Sequence, residues 1–182
     1  MEAKKLISIK NNLVDEIYKS KTLKRKLFYS LGIDSVGENH LSKINKICST
    51  LKLKKADYLF VSSPENVAWL MNIRGYDNPN SPIPNCRLLI DKNKKFFLLV
   101  EKKVSIKIVK EKKFRKDQII DPKKFEDFIK QLNGNNFIID ALSCSALNEK
   151  IIELNFNILE KEDPCYKLKS IKNPTEINNI IN

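Results

Sequence analysis

Three aspartates, Asp57, Asp91 and Asp140, stand at the ends of apolar runs that read as strands. Brought together by a sheet, they would form a carboxylate cluster able to hold two divalent metal ions for phosphodiester hydrolysis. Aspartate also favours caps and turns, where its carboxylate bonds nearby backbone N–H groups, and this plainer reading competes at all three positions. The other reactive candidates are isolated. Cys144, in "LSCSAL", sits near a helix start, where a thiol pKa can fall, but no histidine accompanies it and it reads as a packed thiol. The single histidine, His40 in "GENHLSK", reads as a surface or capping residue. "NGNN" and "RGYDN" lack the glycine-rich pattern that cradles phosphates. No residue is therefore assigned as catalytic.

Arg74 is different in kind. It is one of four arginines in a lysine-rich chain, and it stands directly before Gly75 and a loop carrying three prolines up to Asn85. A planar guanidinium grips a carboxylate through two parallel hydrogen bonds, which a lysine cannot do. The competing reading pairs Arg74 with Asp77 or another nearby carboxylate to shape the loop. Trp69 and Asn72, just before it, read as core and turn-forming residues.

Composition limits what surrounds these side chains. With 182 residues, 42% of them hydrophobic, the chain is long enough for one domain with its own core. Its four cysteines are far apart, and one histidine cannot complete a zinc set with them. They read as ordinary thiols of a reducing compartment. No apolar stretch has the length of a signal peptide core or a membrane span, so a cytoplasmic location is expected. The formal net charge of +12 suggests an acidic partner such as nucleic acid. However, the lysines are mixed with acids along every element ("EKK", "KEKK", "DPKK"), as on a solvated surface.

The elements that must position these residues follow from periodicity and breakers. Residues 1–37 are charged, with apolar clusters too brief to bury much surface, and read as an arm. Leu41, Ile44, Ile47, Cys48 and Leu51 form one helical stripe ending near Lys54. "ADYLFV" is a buried strand, followed by the short helix "PENVAWLM" with Ser63 as N-cap and Pro64 at its first position. "CRLLID" and "KFFLLVE" around "KNKK" make an antiparallel hairpin. A mixed helical segment then runs to about Lys112, and "DQIID" reads as an edge strand. "DPKKFEDFIKQL" is a helix capped by Asp121 with Phe125, Phe128, Ile129 and Leu132 on one face, closed by Gly134 in a left-handed conformation. "NNFIID" is a strand, "SCSALNEKIIEL" a helix capped by Ser143, and "NFNILEK" a last strand. "KNPTEINNIIN" opens a helix with Asn173 as cap, Pro174 first and Glu176 third, the pattern of a capping box. Barely two turns follow this entry, so a continuing body is expected. The alternation predicts an α/β domain, a mixed β-sheet with helices on both faces.

Three segments in order carry a resemblance: "ADYLFVSSPENVAWLMNIRGYDNPNSPIPNCRLLID", "KFFLLVE" and "DPCYKLKSIKNPTEI". They resemble the middle, creatinase-like domain of the Xaa-Pro aminopeptidases (aminopeptidase P, creatinase/prolidase family). The residues that match the family's signature and tail are Trp69, Asn72, Gly75, Lys172, Asn173, Pro174 and Glu176. "NNLVDEIY", Asn11 to Tyr18, is similar to the linker that enters this domain. Between Lys102 and Asp121 only the order of elements matches.

The resemblance implies an RNase H-like layout and a division into an arm (1–37), a creatinase-like domain (38–170) and the start of a pita-bread catalytic domain (171–182). That further domain would carry two divalent metal ions, manganese by expectation, and this chain would carry no cofactor and hydrolyse nothing alone. Arg74, Tyr76 and Asp77 become candidates to face a peptide substrate, and a homodimer is a possible assembly. The rival class is a basic nucleic-acid-binding or RNase H-like nuclease domain built on the three aspartates.

Overall fold

Alternation along one strand decides the layers. In the run from Tyr58 to Val61 every residue is buried. Tyr58 and Phe60 join one apolar cluster, while Leu59 and Val61 join another. Successive strand side chains point to opposite faces, so a run apolar at every position must be covered on both sides.

The computed structural model describes residues 13–17 and 26–181. In chain order its elements are α1 (Leu13–Ile17), β1 (Tyr29–Ser30), α2 (Ile33–Val36), α3 (His40–Leu53), β2 (Tyr58–Val61), α4 (Pro64–Met71), β3 (Ile73–Arg74), β4 (Arg87–Asp91) and β5 (Phe96–Leu99). Then come α5 (Lys102–Lys110), β6 (Ile119–Ile120), α6 (Phe125–Ile129), β7 (Asn136–Ile139), α7 (Ala146–Glu153), β8 (Asn157–Glu160), α8 (Pro164–Ser170) and α9 (Pro174–Ile181).

Six strands form one sheet in the order β6-β5-β4-β2-β7-β8. The β4–β5 hairpin and the β2–β4 pair are antiparallel, whereas β2–β7, β7–β8 and β5–β6 are parallel. The hairpin turn is set by Asp91, whose Oδ1 accepts from the N–H groups of Asn93 and Lys95 at 2.7 and 2.8 Å. On one face Ile44, Ile47 and Leu51 of α3, Val67, Leu70 and Met71 of α4, and Val104 and Ile108 of α5 pack on Leu59, Leu88 and Leu98. On the other, Phe125 and Ile129 of α6 and Ile152 of α7 cover Tyr58, Phe60, Phe137 and Ile139. Aromatic rings dominate this second layer: Phe60 stacks on Phe125 and Tyr58 on Phe137, with centroids 5.2 and 5.1 Å apart. The expected mixed sheet with helices on both faces is what the chain forms.

Several local expectations are corrected. The segment up to residue 37 does bury surface at its C-terminal end. Phe28 is wholly buried, β1 pairs with β3 in a separate small antiparallel sheet, and the Phe28 N–H donates to the Val104 carbonyl at 2.9 Å. Of the linker-like stretch Asn11 to Tyr18, only Leu13–Ile17 lies within the described residues. Leu41, assigned to the buried stripe, is half exposed. The cap of α7 is Ser145, whose hydroxyl accepts from the Asn148 N–H, because the Ser143 hydroxyl is bonded to Ser62 at 2.7 Å. Ser63 does stand at the cap of α4, but its hydroxyl donates to Glu65 instead of accepting from the helix. The helix expected from Asp121 begins as a 3₁₀ turn over Pro122–Lys124, and Gly134 has a φ of 159°, which is extended rather than left-handed. The helix α8, capped by Asp163, was not foreseen.

Phe60 touches both the sheet centre and α6, so Phe60→Ala is expected to lower the free energy of unfolding by about 3–5 kcal/mol. Urea titration checks this as a reduced midpoint at unchanged slope.

Candidate functional site

The signature residues converge on one place, the junction of α3, α4 and α9, and a buried lysine lies at its centre. Lys43 falls four residues before Ile47 and eight before Leu51, so it shares their buried face of α3 and is only 1% exposed. A buried ammonium must find acceptors. Its Nζ donates to the Trp69 carbonyl and to Asn72 Oδ1, both at 2.8 Å, and stands 4.1 Å from the centroid of the Trp69 ring. Asn72 can serve because it ends α4 in the left-handed region, at φ 52°, a conformation asparagine tolerates better than most residues. Its amide also donates to the Glu38 carbonyl at 2.8 Å, tying the α2–α3 connection to the end of α4.

The other end of the indole reaches α9. Trp69 Nε1 donates to Glu176 Oε1 at 3.3 Å, and Glu176 Oε2 accepts from the Asn173 N–H at 2.9 Å. Asn173 Oδ1 accepts in turn from the Glu176 N–H at 3.0 Å, which closes the predicted capping box. Asn173 Nδ2 donates to the Val36 carbonyl at 2.9 Å, and Asn179 Nδ2 to the Ser35 carbonyl at 3.1 Å. Gly37, left-handed at φ 69°, makes this approach possible, since a Cβ there would strike Asn173 Oδ1 and the Thr175 side chain. Pro174 holds the first helical position, and Lys172 donates to the Lys169 carbonyl at 2.8 Å, finishing α8. Trp69, Asn72, Asn173, Pro174 and Glu176 therefore form one clamp that fixes where α9 starts and which way it points.

Gly75 and Arg74 lie at the edge of the clamp. A Cβ on Gly75 would come within 2.8 Å of the Pro84 backbone, and its N–H donates to the Pro82 carbonyl at 3.0 Å, so the proline loop folds back on it. The Arg74 guanidinium donates to the carbonyls of Ala68 and Ile73 at 3.2 and 2.9 Å. It has no carboxylate partner among the described residues, and Asp77 instead accepts from the Asn85 N–H at 2.7 Å. Burial pulls the Arg74 pKa below the ordinary arginine value. The half-buried guanidinium lines a shallow cleft of about 240 Å³ with Glu65, Trp69 and Ser81. Glu65 also borders an adjoining cleft of about 300 Å³ that Asp77 lines. Tyr76 is 54% exposed and packs on Tyr29 at 5.4 Å.

The three aspartates do not converge. Asp57 precedes β2 and Asp91 ends its antiparallel neighbour, but Asp140 follows β7, which runs parallel to β2 and so places it at the opposite end of the sheet. Four strand residues span roughly 13 Å, whereas paired metal ions sit about 4 Å apart. Each carboxylate has local work: Asp57 accepts from Lys92 and from the N–H groups of Asn135 and Asn136, and Asp140 accepts from the Leu142 N–H. Among the described residues no group of three or more His, Cys, Asp or Glu side chains could hold a metal. Burial, and the nearby Glu149, push the Cys144 thiol up to about 11, the reverse of an activated nucleophile. His40 is held neutral, down to about 4, by burial and by Lys113 and Lys43, with Lys113 Nζ 3.3 Å from its Nδ1. Lys43 is the functional residue that sequence reasoning missed. The signal was present in its spacing from Ile47.

A mixed six-stranded sheet, covered by helices on both faces and clamped to α9, defines the class as an α/β domain. The model of the creatinase/prolidase N-terminal domain matches residues 20–176, and the chain belongs to that family. Among curated relatives, Xaa-Pro aminopeptidase 1 of Dictyostelium discoideum is 28% identical over 149 residues, covering 80% of this chain and 23% of the relative. A probable Xaa-Pro aminopeptidase P of Laccaria bicolor is 36% identical over 81 residues, 43% of this chain and 13% of the relative. The chain thus spans less than a quarter of these relatives. Its fold superposes on the X-prolyl aminopeptidase of Caenorhabditis elegans, a cytosolic enzyme with a di-nuclear active site, with a TM-score of 0.79 at 21% identity, over 96% of this chain and 29% of that one. The N-terminal domain of the cytoplasmic peptidase PepQ of Mycobacterium tuberculosis matches at 0.53 and 9% identity, over 70% and 98% of the two chains. No helix among the described residues is long and apolar enough to cross a membrane.

Burial lowers the Lys43 pKa from its ordinary 10.5 to about 8, only partly offset by Glu176 and Glu38. Between these two values the unfolded chain binds more protons than the folded one, so this group makes stability rise with pH across that window. The rise is worth on the order of 3 kcal/mol. It is expected in the wild type and absent from Lys43→Met, as read from the difference between their urea stabilities at pH 7.5 and 10.5.

Proposed function

We propose that this chain is the non-catalytic, creatinase-like middle domain of a Xaa-Pro aminopeptidase-type metallopeptidase. Its work is to hold a C-terminal catalytic domain in place and to form part of the wall at the active-site entrance. One observation carries this reading: the Trp69–Glu176 bond and the Asn173 capping box fix the origin and direction of α9, and α9 buries none of its residues in this domain. Ile177, Ile180 and Ile181 are 44%, 72% and 75% exposed, an apolar face suited to a further body. In this reading residues 171–182 open the catalytic domain, residues 38–170 are the positioning domain and residues 1–37 lead into it from a preceding one.

The two divalent metal ions, manganese by expectation, belong in this reading to the catalytic domain, as does peptide hydrolysis, and this domain would support a homodimer of the parent enzyme. The parent enzyme would act in the cytoplasm. Arg74 would face the entrance. Its NH1 is committed to carbonyls, but with no carboxylate partner among the described residues it retains the positive charge to hold one from a substrate.

Two measurements test the reading. The purified chain, given manganese and peptides with proline in the second position, is expected to release no N-terminal residue; metal-dependent release would overturn the non-catalytic assignment. In a polypeptide carrying both this domain and its catalytic domain, Arg74→Ala should lower kcat/KM by about 10-fold to 100-fold, the worth of a charged hydrogen bond. An unchanged kcat/KM removes the substrate role.

A further inference from the structure

Two clefts meet beside Arg74, and they carry opposite charges. Arg74, Trp69 and Ser81 line the one of about 240 Å³, Asp77 and Asn78 line the one of about 300 Å³, and Glu65 and Ile83 border both. Glu65 and Arg74 thus reach a shared space from different elements. Glu65 is the second residue of α4, on the face that also carries Ala68 and Trp69, and Arg74 reaches back from β3 to the Ala68 carbonyl at 3.2 Å. Side chains on a helix lean toward its N-terminus, so the two charges stand about two turns of α4 apart, on the order of 10 Å. Among the described residues Arg74 donates only through NH1, which leaves Nε and NH2 of a half-buried guanidinium for a ligand. Glu65 is exposed, and its Oε2 accepts from the Ser63 hydroxyl at 2.7 Å. That bond, with the backbone N–H of Glu65 itself, holds the carboxyl below its ordinary value. No cation among the described residues lies within ion-pair distance of Glu65. Lys169 and Arg87 act on it from farther away, but they bond to Asn66 and Asn85 and line neither cleft.

We infer that the two clefts together seat the C-terminal residue of a short peptide ending in lysine or arginine, with its α-carboxylate on Arg74 and its side-chain cation on Glu65. Identifying this ligand as a substrate rests on the proposed reading in which Arg74 faces the active-site entrance. The chemistry follows from the spacing. A C-terminal basic residue carries an anion and a cation at the two ends of an apolar stem, and with a hydrogen bond at each end it bridges a gap of this order. The carboxylate takes Nε and NH2 of Arg74 as a two-point contact. The methylene stem lies over Ile83 and beside Trp69, leaving only the charged head toward water. An acidic side chain would meet Glu65 as a like charge, and a neutral one would gain nothing from it, so the clefts rank basic ends over neutral and neutral over acidic. Because Glu65 is exposed, its pairing contributes little and the preference is a few-fold.

The test titrates the whole chain with the dipeptide Pro-Lys, followed through the emission of its single tryptophan, Trp69, and through the Nε–H signal of Arg74. Binding in the millimolar range, the strength of a few exposed charge contacts, is expected to be about 3-fold to 5-fold tighter for Pro-Lys than for Pro-Leu, and weakest for Pro-Glu. Amidation of the Pro-Lys carboxylate should weaken it about 10-fold. Glu65→Gln should remove the ranking, and Glu65→Lys should reverse it in favour of Pro-Glu, a gain that only a folded variant can show. In the polypeptide carrying both domains, kcat/KM should follow the same order for Ala-Pro-Lys, Ala-Pro-Leu and Ala-Pro-Glu. Equal binding of the lysine and leucine dipeptides overturns the inference, as does a lysine preference that Glu65→Lys leaves in place. A ranking among the dipeptides with none in kcat/KM overturns the substrate assignment. The entrance reading is judged separately: an Arg74→Ala variant that lowers kcat/KM for all three tripeptides upholds it even where the lysine preference fails.

Discussion

A charged lysine placed where water cannot reach it constrains the rest of this structure. Lys43 must have acceptors on every side, and the fold provides them from three separate stretches of chain: a carbonyl and a ring face from Trp69, an amide oxygen from Asn72, and the nearby carboxylates of Glu38 and Glu176. Each of these groups is thereby fixed. Asn72 takes the left-handed conformation that turns α4 into β3, the indole is held edge-on to the start of α9, and the α2–α3 connection is drawn in through Glu38. Burying the charge is costly, and the same cost makes alternative arrangements of these helices unfavourable, because any displacement would leave the ammonium or its partners unsatisfied.

The sheet and its layers were legible because their signals are local. Tyr58–Val61, Arg87–Asp91, Phe96–Leu99 and Asn136–Ile139 are short apolar runs between strong breakers, and the capping box of Asn173 and Glu176 is written in consecutive residues. What escaped is long-range. Phe28 is buried by pairing with β3, which no periodicity near residue 28 announces. Ser143 and Ser145 satisfy the same cap preference, and only the tertiary bond from Ser62 to Ser143 decides between them. Leu41 follows the helical spacing, yet it lies half exposed while His40 beside it packs on Phe96. The clamp was half legible: its residues were singled out through family resemblance, but the lysine that organises them was passed over as one more surface charge.

Lysine in this chain therefore has two physical meanings that composition cannot separate. Among the described residues most lysines are exposed or paired with a nearby acid, as Lys92 is with Asp57 and Lys130 with Glu126. Lys43 is enclosed, with a carbonyl, an amide oxygen and an indole face around its ammonium group. Environment, rather than number, assigns the role of each.

The way α9 is held has a mechanical side. An eight-residue helix is about 12 Å long, so a tilt of 10° at its capped end moves its far end by about 2 Å, and a body extending 30 Å farther by several ångströms more. In the proposed reading, gripping such a lever at its base, through Gly37, Asn173 and Glu176, would convert sub-ångström fidelity in a few hydrogen bonds into aim at a distance. A single methyl group added at residue 37 would spoil that aim without touching anything it points to.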